Sequence, residues 1–157
     1  MFSMSDTDNL SRIPEILARD RVIAVVGLSP RPDRASYTTS RYMQAHGYRI
    51  VPVNPQAVDL PGGILGETCY ASLRDAAQAM RAQGQTIDMV NCFRRSEDIP
   101  PIAAQAIAIG ARSLWMQLGI EHPQAAAQAR AAGLDVVMDR CVKIEHARWQ
   151  AELTSPH

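Results

Sequence analysis

The segment "GLSPRPDRASYTT", which begins at Gly27, gathers groups that bind anions. Gly27 permits a sharp turn and a close approach to the backbone. Ser29, Ser36 and Thr38 bring hydroxyls, and Arg31 and Arg34 bring guanidiniums that match phosphate oxygens in a fork. A helix is predicted over residues 36–46, and the free N–H groups and dipole at its start favour negative charge. Pro30 lies inside the same loop and counts, with Tyr37, among its candidate contacts. Together these residues suit a pyrophosphate. The plainer alternative makes Ser36 only a helix N-cap and leaves the arginines in solvent.

The loop stands where a dinucleotide site would carry G-x-G-x-x-G, yet it reads Gly27-Leu28-Ser29-Pro30-Arg31-Pro32. The next strand end sharpens that difference. NAD sites commonly place Asp or Glu there to accept from ribose hydroxyls. This chain has the neutral Val53-Asn54-Pro55, and the nearest acid is Asp59. A ribose bearing a 3′-phosphate would repel an acid and favour amide and cationic neighbours, which points to coenzyme A before NADP.

Three further clusters carry candidate chemistry. In "NCFRRSEDIPP", Phe93 could cover an adenine or a pantetheine arm, and Arg94 and Arg95 could face phosphate. Ser96 is the expected helix N-cap there, unless the arginines simply meet Glu97 and Asp98. In "LWMQLGI", Trp115 and Met116 read as core, whereas Gln117 is polar in an apolar run and needs a partner if buried. In "DRCVKIEH", Cys141 and His146 raise the alternative of nucleophilic catalysis. His122, before Pro123, is expected only to occupy a helix-start loop.

The elements that must hold these residues alternate regularly. Strands are predicted at residues 21–28, 48–54, 87–93, 112–119 and 134–139, with a short extra one near 66–69. Most are continuously apolar, as strands buried on both faces of a parallel sheet are. Helical patterns occupy 36–46, 73–83, 99–109 and 123–132, each followed by a glycine suited to a C-terminal cap. Flanking helices are expected at 10–19 and 143–152. The alternation predicts an α/β fold, Rossmann-like and doubly wound, with a mainly parallel sheet of five to six strands and helices on both faces. Ligands of such sheets lie beyond the carboxyl ends of the strands, where all the candidate residues fall.

Composition sets the outer bounds. The 157 residues fit one domain spanning 1–157, with 1–9 and 150–157 expected to be tails. Apolar residues at 46% and charged residues at 20% describe a globular chain. The formal net charge of zero gives no support to a nucleic-acid or membrane-surface partner. No apolar run approaches bilayer length, and the polar, acidic N-terminus lacks a signal-peptide core. Cys69, Cys92 and Cys141 are too few and too scattered for a disulfide framework or a zinc site, which leads to an expected cytoplasmic location.

"GLSPRPDRASY", "GYRIVPVNP", "DMVNCFRRSEDIP", "LWMQLGI" and "RCVKIEH" together resemble the small bacterial and archaeal CoA-binding proteins. These are stand-alone relatives of the CoA-binding domain of the succinyl-CoA synthetase α chain. The similarity runs from about Leu10 to Trp149. It implies that Gly27, Ser29, Arg34, Ser36 and Tyr37 form the pyrophosphate loop. Asn54 and Pro55 would lie near the adenosine end, and Phe93 and Arg94 on the turn that closes over the cofactor. The phosphorylated histidine domain and nucleotide-grasp partner of the ligases are not expected within this chain, so the ligase reaction is not expected to carry over. The expectation is therefore a binding protein for CoA or an acyl-CoA: a carrier, sensor or accessory subunit, with a homodimer compatible. Two alternatives stand beside it. One is an NAD(P)-linked oxidoreductase or CoA-dependent transferase using Cys141 or His146. The other is an interaction module that has lost its ligand.

Overall fold

A computed structural model describes residues 10–154 of the chain. A first helix, α1 (Ile13–Arg19), leads into β1 (Val22–Val26), α2 (Ala35–Ala45) and β2 (Arg49–Val53). Then follow α3 (Leu73–Ala82), β3 (Met89–Cys92), α4 (Ile99–Ala108), β4 (Ser113–Met116), α5 (Pro123–Ala131), β5 (Asp135–Val137) and α6 (Val142–Thr154). The five strands form one parallel sheet in the order β2-β1-β3-β4-β5. The predicted Rossmann-like α/β class is the observed one.

The sheet is covered on both faces, which explains why its strands read as unbroken apolar runs. One face packs Ala24, Val26, Val51, Val90 and Leu114 against Leu73, Met80, Ala103 and Ala129 of α3, α4 and α5. The other packs Ile23, Val25, Ile50, Met89 and Trp115 against Ile16, Met43 and Val142 of α1, α2 and α6. Trp115 and Met116 are fully buried core, as expected. The Trp115 indole N–H finds the Arg140 carbonyl at 2.8 Å, so its one polar group is not stranded.

Three expectations need correction. The extra strand near 66–69 is not formed. Tyr70 makes instead a single parallel bridge to Val53, with Tyr70 N–H donating to Pro52 and Asn54 N–H donating to Tyr70. The segment before it is spent on turns, with Gly62, Gly63 and Leu65 all at positive φ, so it cannot extend into a ladder. Residues 150–154 continue α6 rather than forming a tail, and the expected tail at 1–9 lies outside the described residues. Finally, Ser96 does not cap α4. A 3-10 turn (Ser96–Asp98) precedes that helix, and the Ser96 hydroxyl accepts from Glu121 N–H at 3.0 Å.

Chain direction reverses across β1: α2 and β2 lie to one side, and the chain then crosses to β3 on the other. The gap between the loops after β1 and β3 is the topological switch point, where open α/β sheets hold ligands.

Candidate functional site

The loop after β1 begins at Gly27, whose φ of 89° places it in the left-handed region. A Cβ there would sit 2.5 Å from the Phe93 carbonyl oxygen, so glycine is required by contact as well as by conformation. Gly27 N–H donates to Val53 at 2.8 Å and Phe93 N–H donates to Val26 at 2.9 Å. Three strand ends are thereby drawn together around one glycine.

Beyond it the loop is held by its own hydroxyls. Ser29 N–H donates to the Ser36 hydroxyl at 3.0 Å, and Arg31 N–H donates to the Ser29 hydroxyl at 3.1 Å. Ser36 is buried and lies one position inside α2, so the plainer alternative of a helix N-cap is not formed. Arg34 occupies the cap position in extended conformation and makes no side-chain cap bond. No acidic residue stands in the first turn either. The amides that open α2 thus keep their capacity for an anion, unlike those of α3 and α5. In α3 the Ser72 hydroxyl accepts from Asp75 N–H, and in α5 the His122 Nδ1 accepts from Ala125 N–H. His122 therefore does more than fill a loop. Its capping role is legible only as a polar residue immediately before Pro123.

The arginines separate into two kinds. Arg31 pairs with Asp33 at 3.3 Å, and Arg95 pairs with Glu97 and Asp98 at 3.2 and 3.4 Å, all on exposed side chains. Such pairs contribute at most about 1 kcal/mol each. Among the described residues no carboxylate is paired with Arg34 or Arg94. The Arg94 side chain lies beside Gly27, its Cδ 3.4 Å from where a Cβ would stand. A cavity of about 440 Å³ opens next to it, lined by Val26, Val53, Pro55, Ala71, Ser72, Leu73, Arg94 and the Arg95–Asp98 pair, with Ile102 and Gln105 of α4. Phe93 is half-buried against the α2 side of the core. Tyr37 is likewise half-buried against that core, one turn into α2.

Two predicted contacts turn inward instead. The Asn54 amide donates to the Leu28 carbonyl at 3.0 Å, and its oxygen accepts from Gln56 N–H at 3.0 Å. Gln117 is 3% exposed, so it does not face the crevice. Its amide donates to Asn91 at 2.6 Å, and its oxygen accepts from Val142 N–H at the start of α6 at 3.4 Å. The need for a partner was legible in the sequence; that the partner is another core amide was not.

The alternative Cys141–His146 pair is not formed. His146 is buried, its Nδ1 lies 2.9 Å from the Tyr42 hydroxyl, and its ring packs edge-on to Tyr48 and Trp149. Burial, with His46 and Arg21 nearby, lowers its pKa from the ordinary histidine value. Cys92 is fully buried and burial pushes its thiol up to about 12, while burial also raises that of Cys69. Among the described residues no cluster of His, Cys, Asp and Glu could hold a metal ion. No helix among them is long and apolar enough to cross a membrane.

Comparison with known proteins shows the family and the fold. A family model described as CoA binding domain matches residues 21–147. The uncharacterized protein YneT of Bacillus subtilis is 40% identical over 137 residues, 87% of this chain and 93% of that one. A hypothetical protein from Pyrococcus horikoshii superposes with a TM-score of 0.78 at 34% identity over 94% of each chain. Prb, a protein redesigned for binding, gives 0.80 at 34% identity over 99% of each. The matched region takes in every strand, the switch point and both loops around Gly27, and on that ground the chain belongs to the CoA-binding domain family.

Proposed function

We propose that the protein binds coenzyme A, free or acylated, at the switch-point crevice, and acts as a carrier, sensor or accessory protein. The supporting observation is the pairing of an uncapped α2 N-terminus with two arginines, Arg34 and Arg94, that have no carboxylate partner among the described residues. In this reading the opening amides of α2 and Arg34 hold the pyrophosphate. Arg94 supplies a second cation, Pro55 lines the cavity that receives the rest of the ligand, and Phe93 stands on the turn beside Arg94. Gly27 lets the phosphates approach the backbone. Ser29 and Ser36 shape the loop by bonding within it.

The family's ligase relatives do their chemistry with parts this reading does not need. His146 is committed to Tyr42, and a binding role asks no group here to titrate or to attack. A cytoplasmic location and a small-molecule partner follow from the same proposal.

Calorimetric titration with CoA, dephospho-CoA and NAD tests it. CoA should bind most tightly, dephospho-CoA more weakly, and NAD weakest, with melting temperature rising in the same order by mass action. Absence of CoA binding, or tighter binding of NAD, would contradict the proposal.

A further inference from the structure

We infer that Asn54 is a positioning residue that sets the ligand class of this crevice. It locks the first loop through the Leu28 carbonyl, and that bond bars the carboxylate by which dinucleotide sites hold ribose. The identity of the ligand rests on the function proposed above; the locking of the loop does not.

Asn54 joins three pieces of chain at one point: the first loop, the turn after β2 and the segment at Cys69–Tyr70. Its Nδ2 donates to Leu28 O, and its Oδ1 accepts from Gln56 N–H in the turn after β2. Its backbone N–H donates to Tyr70 at 2.9 Å, and the Cys69 thiol donates to its carbonyl at 3.4 Å. Leu28 is fully buried, so the carbonyl facing Asn54 belongs to a residue anchored in the core. The hydroxyl chain through Ser29 and Ser36 starts at the very next residue. Fixing Leu28 therefore fixes the point from which the rest of the loop is hung.

An ionised aspartate has the shape of asparagine but no proton to give. At this position it would aim an acceptor at the Leu28 carbonyl, which loses the bond and adds repulsion between two oxygens. Dinucleotide folds use the same place, the end of β2, for an acid that accepts from ribose hydroxyls. In this chain the two uses exclude one another. Rejection of NAD is then a consequence of how the loop is held, beyond the mere lack of a ribose acceptor.

Hydrogen exchange on the ligand-free protein, comparing wild type with Asn54→Asp and Asn54→Ala, is the test. In both variants the Ser29 and Arg31 amides should exchange about five- to tenfold faster, the worth of one lost hydrogen bond. Amides that open locally away from Asn54, such as Ala125 at the capped start of α5, should keep their wild-type rates, and those of Ile23 to Val25 in the sheet should speed up by no more than the global stability lost. Titrations on the same samples should show weaker CoA binding in both variants and no gain of NAD binding in Asn54→Asp. Unchanged loop exchange in both variants, or an Asn54→Asp protein that binds NAD better than wild type, would overturn the inference. Should wild type itself fail to bind CoA, the proposed function falls, while the exchange comparison still decides whether Asn54 positions the loop.

Discussion

The two ends of the sheet use arginine in opposite ways. At the amino end, Arg19 forms a two-pronged pair with Asp20 at 2.6 and 3.1 Å and reaches Asp135 at 3.0 Å. Arg12 adds a second fork to Asp135 at 2.7 and 3.1 Å, and the Ser113 hydroxyl donates to Asp20 at 2.7 Å. Asp20 is fully buried and every charge in this network has its counterpart. Burial alone would raise the Asp135 carboxyl, but the hydrogen bonds from Arg12 and Arg19 hold it below the usual carboxylate range. At the carboxyl end, Arg34 and Arg94 have no such counterpart among the described residues. A closed set of charges clamps α1 and the sheet together; an open set is what the proposed anion site requires. Arginine content alone separates the ends poorly. Pairing does.

Breaking the closed network should have the largest effect. Asp20→Ala would leave the Arg19 guanidinium and Ser113 hydroxyl without their buried acceptor, and removing one partner of a buried pair costs about 3 kcal/mol or more. Denaturant unfolding should show that loss, while CoA affinity of the folded protein stays unchanged. Gly27→Ala should come next, at roughly 2 kcal/mol, because it adds a backbone clash to a strained φ. Unlike Asp20→Ala, it should weaken ligand binding as well.

Opening the other end costs nothing in stability. Arg34→Ala and Arg94→Ala should each reduce CoA affinity by about tenfold, the scale of one charge-assisted hydrogen bond, and leave the unfolding midpoint in place. A drop in stability with unchanged affinity would reverse the assignment of the two ends. Arg95→Ala, whose side chain already pairs locally, should change both quantities least.

The α2–α6 interface supplies a pH-dependent comparison. The lowered pKa of His146 means the unfolded chain binds a proton more readily than the folded one. Stability is therefore fully present above the ordinary histidine pKa and declines as pH falls through the value in the folded protein. Replacing His146 by Gln, which can still meet the Tyr42 hydroxyl, should flatten that slope in unfolding curves taken across the acidic range. An unaltered slope would place the proton elsewhere.

How much of this was legible in the sequence depended on whether the signal was periodic or pairwise. Strands buried on two faces announce themselves as apolar runs, so all five principal strands stand where expected. Their ends were drawn too long. The run at 112–119 becomes Ser113–Met116, because Leu118 is 67% exposed and Gly119 has left the strand with φ of 82°. The candidate residues fall at the carboxyl ends of the strands, where topology alone sends ligands. Their individual roles were not legible. Ser36, a candidate phosphate contact with a plain N-cap as its alternative, braces the loop; Ser96 looked like a cap and ties its turn to Glu121. Asn54 and Gln117 looked like ligand contacts and bond inward. Each of these turns on which of several polar neighbours lies within about 3 Å, and such distances across the chain leave no trace in local spacing.

Amide chemical-shift mapping during a CoA titration tests the central claim most directly, because it reads both ends of the sheet at once. CoA binding at the switch point predicts saturable shifts in Gly27, Ser29, Ala35, Ser36, Phe93 and Arg94, with Asp20, Arg21 and Asp135 unmoved. Shifts centred on the Arg19–Asp20–Asp135 end, or no saturable shifts at all, would contradict it.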